Sequence, residues 1–145
     1  MQTYVEIRSE KIPALGYGTF LLEGNDCLEG VADALEIGYR HIDTAQAYNN
    51  ETEVGNAIKN SSVRREDIFL TTKVTPRNFT KENFIPSVEE SLKKLKVDSV
   101  DLLLLHWPSS PADEARDELA VEQLALAQQK GYTKLIGVSN LPSGR

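Results

Sequence analysis

The most constraining feature of this chain is a regular alternation of short apolar segments with stretches whose apolar residues recur at helical spacing. The apolar segments lie at 15–20, 40–43, 68–72, 100–105 and 135–138. Strands separated by helices imply right-handed crossovers between parallel neighbours, and strands this apolar imply burial on both faces. The sequence therefore predicts an α/β fold built on a parallel sheet of about five strands.

Four helices are predicted between these strands. Asn25 or Asp26 can cap the first helix, and Gly38 can end it. Pro86 is expected in the first turn of the third helix, where its missing N–H costs little. The second, third and fourth helices are predicted at about 50–60, 85–95 and 113–130. Each lies between two strands, as a crossover helix must.

The N-terminal segment has a different pattern. Residues 4–7 alternate in polarity and are followed by the polar stretch 8–11, which predicts a small β-hairpin ahead of the parallel sheet. We therefore expect a single domain over residues 1–145. It comprises the hairpin at 1–14, the βα units at 15–140 and a short tail at 141–145.

The number of strands leaves two architectures open. A closed eightfold barrel usually takes about 250 residues, so a chain of 145 forms either an open doubly wound sheet or part of a barrel. The first strand–helix turn, at 16–24, lacks the third glycine of a dinucleotide fingerprint and the lysine of a phosphate-binding loop. Length alone does not decide between them.

Composition excludes several classes of function. Sixteen basic against twenty-two acidic residues give a net charge of −6, which disfavours nucleic acid as a partner. The longest apolar run, 102–105, is far shorter than the roughly 20 residues of a membrane span. The first residues do not resemble a secretory signal, and Cys27 is the only cysteine, so a cytoplasmic location is expected and no metal site is indicated.

Polar residues gather where the predicted parallel strands end. Because the carboxyl ends of such strands meet at one rim, where sites are built, these side chains are candidates for chemistry. Each alone has an ordinary structural explanation as a helix cap, a solvated tip or a buried polar residue. The candidates in chain order are Asp43, Tyr48, Lys73, His106, Ser139 and Asn140.

This set of residues suits the polarisation of a carbonyl group. A phenol ordinarily ionises near pH 10, but Tyr48 can donate its proton near neutrality if a cation such as Lys73 stabilises the phenolate. Asp43 could hold that ammonium by an ion pair, and His106 could direct a hydrogen-bond donor at the same oxygen. With no obvious nucleophile, such a site fits hydride reduction better than hydrolysis.

Four segments of the sequence match the signatures of one enzyme family. They are GYRHIDTAQAYNNETEVG at 38–55, TTK at 71–73, LHWP at 105–108 and KLIGVSN at 134–140. In this order they resemble the first signature, the catalytic lysine segment, the catalytic histidine segment and the second signature of the aldo-keto reductases. Within that family the likeness is to the prokaryotic-type group that reduces 2,5-diketo-D-gluconate and methylglyoxal, and it extends from about residue 15 to residue 140.

This resemblance implies a (β/α)8 barrel, of which the chain carries the N-terminal part, with NADPH across its carboxyl rim and a small carbonyl compound as substrate. Tyr48 would then be the proton donor, tuned by Lys73 and Asp43, and His106 would orient the carbonyl. The remaining roles follow from the same likeness. The cofactor would contact Ser139, Asn140, Gly18 and Thr19, and the substrate would contact Trp107 and Phe20.

Two departures from the family pattern keep alternatives open. Leu141 stands where an aromatic residue is usual, and strands six to eight, with their cofactor contacts, are not in this sequence. One alternative is a catalytically inactive half-barrel that self-associates through the open edges of its outer strands. Another is an aldolase-like barrel with Lys73 as a Schiff base, which the matching spacings of Tyr48 and His106 disfavour.

Overall fold

The computed structural model describes residues 3–140, so the predicted tail at 141–145, with Leu141, lies outside the described residues. The predicted hairpin is confirmed: strands β1 (Tyr4–Ile7) and β2 (Glu10–Pro13) pair antiparallel. Ile7 pairs with Glu10, and the two residues between them, Arg8 and Ser9, have φ values of 48° and 68°. Positive φ at both central residues is the geometry of the tight turn that suits hairpin twist.

The five following strands form one parallel sheet in chain order. They are β3 (Gly16–Gly18), β4 (His41–Asp43), β5 (Phe69–Val74), β6 (Val100–Leu105) and β7 (Thr133–Val138). A doubly wound sheet reverses its order at a switch point, whereas a barrel adds each strand beside the previous one. The sequential order therefore decides between the two architectures: the sheet is part of a barrel.

Four helices cover one face of this sheet. They are α1 (Gly24–Ile37), α2 (Glu51–Asn60), α3 (Phe84–Leu95) and α4 (Glu114–Gln129). The core combines strand residues such as Leu70 and Leu103, both fully buried, with Val31, Val88 and Leu124 from the helices. Burial of this apolar layer fixes the strands, and with them the geometry of the rim where they end.

The first helix begins earlier than predicted. Glu23, in extended conformation, precedes it, and neither Asn25 nor Asp26 caps it. The Asn25 side chain instead donates to the Glu29 carboxylate at 2.9 Å, so its carbonyl is not used as a cap. The predicted end at Gly38 is confirmed, since this residue has a φ of 126° that side-chain-bearing residues disfavour.

Other boundaries agree with the predictions to within two residues. Pro86 lies in the first turn of α3, and Asp113 caps α4 by accepting from the Arg116 N–H at 3.1 Å. β5 extends to Val74, two residues past its predicted end, because Val74 still pairs with Leu105 of β6. Lys73 consequently lies within the ladder rather than beyond it, which restricts its backbone.

Candidate active site

Six of the predicted site residues meet at the carboxyl rim of the sheet. Asp43 is the last residue of β4, and Lys73 is the penultimate residue of β5. His106 follows β6 directly, and its N–H donates to the Val74 carbonyl at 3.0 Å. Ser139 continues β7 in the same way, donating to the Leu105 carbonyl at 2.9 Å. The sheet therefore brings the candidates together, as the sequence predicts.

Lys73 is the centre of the polar contacts at this rim. Its Nζ lies 2.8 Å from both carboxylate oxygens of Asp43 and 3.0 Å from the Thr44 carbonyl oxygen. The same ammonium is 3.4 Å from the Tyr48 hydroxyl. Because the Lys73 side chain is almost entirely buried, solvent screens these interactions little. A positive charge is thus held beside the phenol oxygen.

Tyr48 is presented by a short 3-10 helix, Gln46–Tyr48, that follows β4. Asn49 ends this helix in the left-handed conformation, with a φ of 55°, and its N–H donates to the Gln46 carbonyl. The Tyr48 ring contacts two others, with centroids 5.3 Å from the Phe20 ring and 5.5 Å from the His106 ring. The phenol is therefore held by these two ring contacts as well as at its hydroxyl.

His106 is buried and neutral near pH 7. Burial, and secondly the charge of Lys73, lower the pKa of His106 to about 4. Its Nδ1 is buried without a hydrogen-bond partner among the described residues. A proton on Nδ1 would leave an unpaired buried donor, which is costly, so the neutral tautomer with the proton on Nε2 is favoured. His106 can then donate a hydrogen bond from Nε2.

The other predicted contacts differ in their exposure. Phe20 and Trp107 are both exposed at the rim, and the Trp107 ring stacks on His106 with centroids 3.5 Å apart. Asn140 is exposed and donates to the His106 carbonyl at 2.9 Å. Thr19 is fully buried, and its hydroxyl donates to the Asp43 carbonyl, so this side chain supports the rim from within.

Sequence reasoning missed the polar residues behind the rim. Asn50 is buried, accepts from the Thr44 hydroxyl at 2.6 Å and donates to the Thr19 carbonyl at 2.9 Å. Glu51 is also buried, although it carries a carboxylate. The sequence does indicate that Glu51 is buried, because Glu51 precedes the buried Val54 by three residues and so falls on the apolar face of α2.

Between residues 3 and 140, no three or more His, Cys, Asp or Glu side chains are grouped so that they could hold a metal ion. Nor does any helix in that range combine the length and apolar content needed to cross a membrane.

The sequence model of the Aldo/keto reductase family matches residues 14–145. The chain belongs to the aldo/keto reductase family. It is 50% identical over 129 residues to methylglyoxal reductase DkgB of Escherichia coli O157:H7, a match that covers 89% of this chain and 48% of that protein. The chain therefore spans about half the length of the curated relatives it matches.

Solved aldo/keto reductases share this fold. A crystal structure of an aldo/keto reductase from Brucella melitensis superimposes with a TM-score of 0.93 at 38% identity, covering 99% of this chain and 56% of that one. An aldo-keto reductase from a Medee basin deep-sea metagenome library gives 0.87 at 41% identity, covering 92% and 48%. The family resemblance in the sequence and the partial-barrel fold are thus confirmed.

Proposed function

We propose that this protein contributes the catalytic half of an NADPH-dependent reductase that acts on small aldehydes and ketones, with Tyr48 as the proton donor. One observation carries the proposal: the Lys73 ammonium, held at 2.8 Å by both oxygens of Asp43, also lies 3.4 Å from the Tyr48 hydroxyl. Family membership and the methylglyoxal reductase relatives support carbonyl reduction as the reaction class.

The contacts of Tyr48 explain how a phenol can act as an acid here. Loss of its proton leaves a phenolate, and the neighbouring Lys73 charge stabilises that anion. Asp43 keeps Lys73 in place, because a buried ammonium with a bidentate partner has little freedom to move. As a carbonyl oxygen gains negative charge during reduction, Tyr48 can transfer its proton to that oxygen.

His106 has a complementary role at the same oxygen. Its pKa of about 4 keeps the imidazole neutral at neutral pH, so the ring does not compete with Tyr48 as an acid. With the proton on Nε2, it can donate a hydrogen bond to a carbonyl oxygen that also meets the Tyr48 hydroxyl, because the two rings are in edge-to-face contact. The carbonyl is thereby oriented and polarised before the proton moves.

The rim fits one end of the proposed cofactor. A nicotinamide carboxamide offers both a donor and an acceptor, and Ser139 and Asn140, with a hydroxyl and an amide at the end of β7, offer the complementary groups. The Asn140 amide already bridges the Ser139 hydroxyl and the His106 carbonyl, which sets its orientation. When bound, the cofactor supplies the hydride. Ser139 and Asn140 would hold its nicotinamide end beside His106.

The exposed aromatic residues suit a small substrate. Phe20 contacts the Tyr48 ring and Trp107 stacks on the His106 ring, so these exposed rings can exclude water from a bound carbonyl. We propose methylglyoxal-sized compounds as the substrate class, and the cytoplasm as the location of the protein.

An aldolase-type reaction through Lys73 is disfavoured by the same contacts. A Schiff base requires a neutral amine with a free lone pair, whereas Lys73 is locked in a charged pair with Asp43. Binding a substrate carbon there would displace that carboxylate.

The proposal is tested by completing the barrel. The chain is fused to the C-terminal half of the Escherichia coli O157:H7 methylglyoxal reductase DkgB, and NADPH oxidation is followed with methylglyoxal. We expect the fusion to oxidise NADPH with methylglyoxal, and we expect the C-terminal half without this chain not to do so. Absence of turnover in a folded fusion, together with borohydride trapping of a carbonyl compound on Lys73, would replace the reductase proposal with the aldolase alternative.

A further inference from the structure

A buried polar network lies between the catalytic strands and the helices behind them. Glu51, at the start of α2, is nearly inaccessible to solvent, yet both its carboxylate oxygens are used. Oε2 accepts from the Thr72 hydroxyl at 2.7 Å, and Oε1 accepts from the Ser91 hydroxyl at 3.1 Å. Burial raises the pKa of Glu51, and these two hydrogen bonds oppose that shift. The carboxylate thus ties β5 to α3.

The same network reaches Tyr48 through Gln46. The Gln46 amide nitrogen donates to two hydroxyls of α3, Ser87 at 3.1 Å and Ser91 at 3.2 Å. Its oxygen accepts from the Thr75 N–H at 3.1 Å and from the Asn78 side chain at 3.0 Å. Gln46 is the first residue of the 3-10 helix that ends with Tyr48. Its contacts therefore fix that helix against both α3 and the end of β5.

The network reaches Lys73 through its neighbour in the strand. Thr72 precedes Lys73 in β5, with its side chain on the opposite, helix-facing side of the sheet. A hydrogen bond that holds Thr72 to Glu51 restricts the strand at the point from which Lys73 extends. One connected set of side chains thus restrains the segments that carry both Tyr48 and Lys73, whose side chains meet at the phenol oxygen.

We propose that Gln46, Ser91, Glu51 and Thr72 are positioning residues that set the distance between Tyr48 and Lys73 for the reaction proposed above. None of them is assigned a contact with substrate or cofactor. They act by linking two backbone segments to the Glu51 carboxylate: β5 directly through Thr72, and the 3-10 helix after β4 through Gln46 and Ser91. The assignment rests on the proposed function, because the distance matters for proton donation by Tyr48.

The test measures position directly, without turnover. In the 145-residue chain, NMR cross-peaks are recorded from the Tyr48 ring to the His106 ring and to the Lys73 side chain, whose Nζ lies 5.1 Å from the Tyr48 ring centroid. The variants are Gln46→Leu and Thr72→Val. Thr133→Val is the matched control, since it also removes one hydroxyl donor from a buried strand threonine, in β7 and away from the network.

We expect the Tyr48 cross-peaks to weaken severalfold in Gln46→Leu and Thr72→Val and to persist in Thr133→Val. Gln46→Met, which removes the amide but keeps the length of the side chain, replaces Gln46→Leu if that variant does not fold. Unchanged cross-peaks in the network variants would overturn the assignment. Equal weakening in all variants, including the control, would also overturn the assignment, because such a result would show that any of these substitutions loosens the whole fold.

A kinetic readout separates this inference from the proposed function. In the completed barrel, displacement of Tyr48 should lower kcat by about tenfold to a hundredfold and leave the KM for NADPH within roughly twofold. If the wild-type fusion reduces no carbonyl, the proposed function fails, while the cross-peaks still decide whether the network positions Tyr48.

Discussion

Lys73 places a positive charge beside the Tyr48 hydroxyl. We predict that Lys73→Met lowers carbonyl reduction by at least about a hundredfold, since the phenolate loses its neighbouring ammonium. The pH dependence of the residual activity should change for the same reason. Lys59→Met, at the exposed end of α2, is the matched control and should retain activity. Normal turnover with an unchanged pH profile in Lys73→Met would show that Lys73 has no part in proton donation.

His106 links stability to pH. Its pKa is lowered to about 4 in the folded protein from an ordinary 6.5, so the unfolded chain binds the proton first as the pH falls. Its contribution to stability is therefore present above about pH 6.5 and is lost as the pH falls towards 4. We predict that His106→Gln flattens this part of the curve of unfolding free energy against pH. An identical slope in both proteins would contradict the buried neutral imidazole.

Single residues also show how far sequence reasoning reaches. The positions of Asp43, Lys73 and His106 are predictable because these residues lie at or next to the ends of apolar strands, and parallel strands end at one rim. Thr19 is predicted as a cofactor contact, and this stays a prediction; the sequence does not reveal that its hydroxyl donates to the Asp43 carbonyl one strand away. Gln46 was not predicted as a support, because its partners lie in α3 and in the loop after β5, 29 to 45 residues away in sequence.

At the scale of elements, α2 and α3 pack closely at Gly55. A Cβ added there would lie 2.4 Å from the Lys94 carbonyl oxygen and 2.7 Å from the Leu95 backbone. We predict that Gly55→Ala lowers the free energy of unfolding by about 1–3 kcal/mol, because backbone atoms must move apart. Gly18→Ala is the control for stability, since its Cβ would meet nothing within 4 Å. Urea unfolding of both variants checks this, and equal stability would contradict the close packing.

Element identity was more predictable than element ends. The apolar residues of the strands and helices recur at a spacing that is visible in the sequence. The residue at which an element ends depends instead on the neighbouring elements with which it pairs or packs. β5 extends because β6 continues beside it, whereas β3 and β4 pair with each other over only three residues. The number of residues over which two strands pair cannot be derived from the sequence of one of them.

At the scale of the whole molecule, the described sheet has two open edges and an uncovered face. Among residues 3–140, β3 and β7 each pair with one strand only. Leu102 and Leu104, which alternate with the buried Leu103 and Leu105, are only partly buried. Within residues 3–140, no helix covers that face. Unpaired edges and exposed apolar surface favour association between copies.

We predict that the 145-residue chain, expressed alone, forms dimers or larger species and binds NADPH weakly. Light scattering after size exclusion, with an NADPH titration of the same sample, measures both properties. A monodisperse monomer with tight NADPH binding would contradict this prediction, and it would mean that the described half holds the cofactor by itself.

The central claim, proton donation by Tyr48, is tested most directly by Tyr48→Phe in the completed barrel. The substitution removes one hydroxyl and little volume, so binding should persist while the transition-state contribution is lost. We predict that methylglyoxal reduction nearly disappears, with NADPH affinity close to that of the unsubstituted protein. Retention of more than about a tenth of the activity, a loss below roughly 1.4 kcal/mol, would contradict the claim.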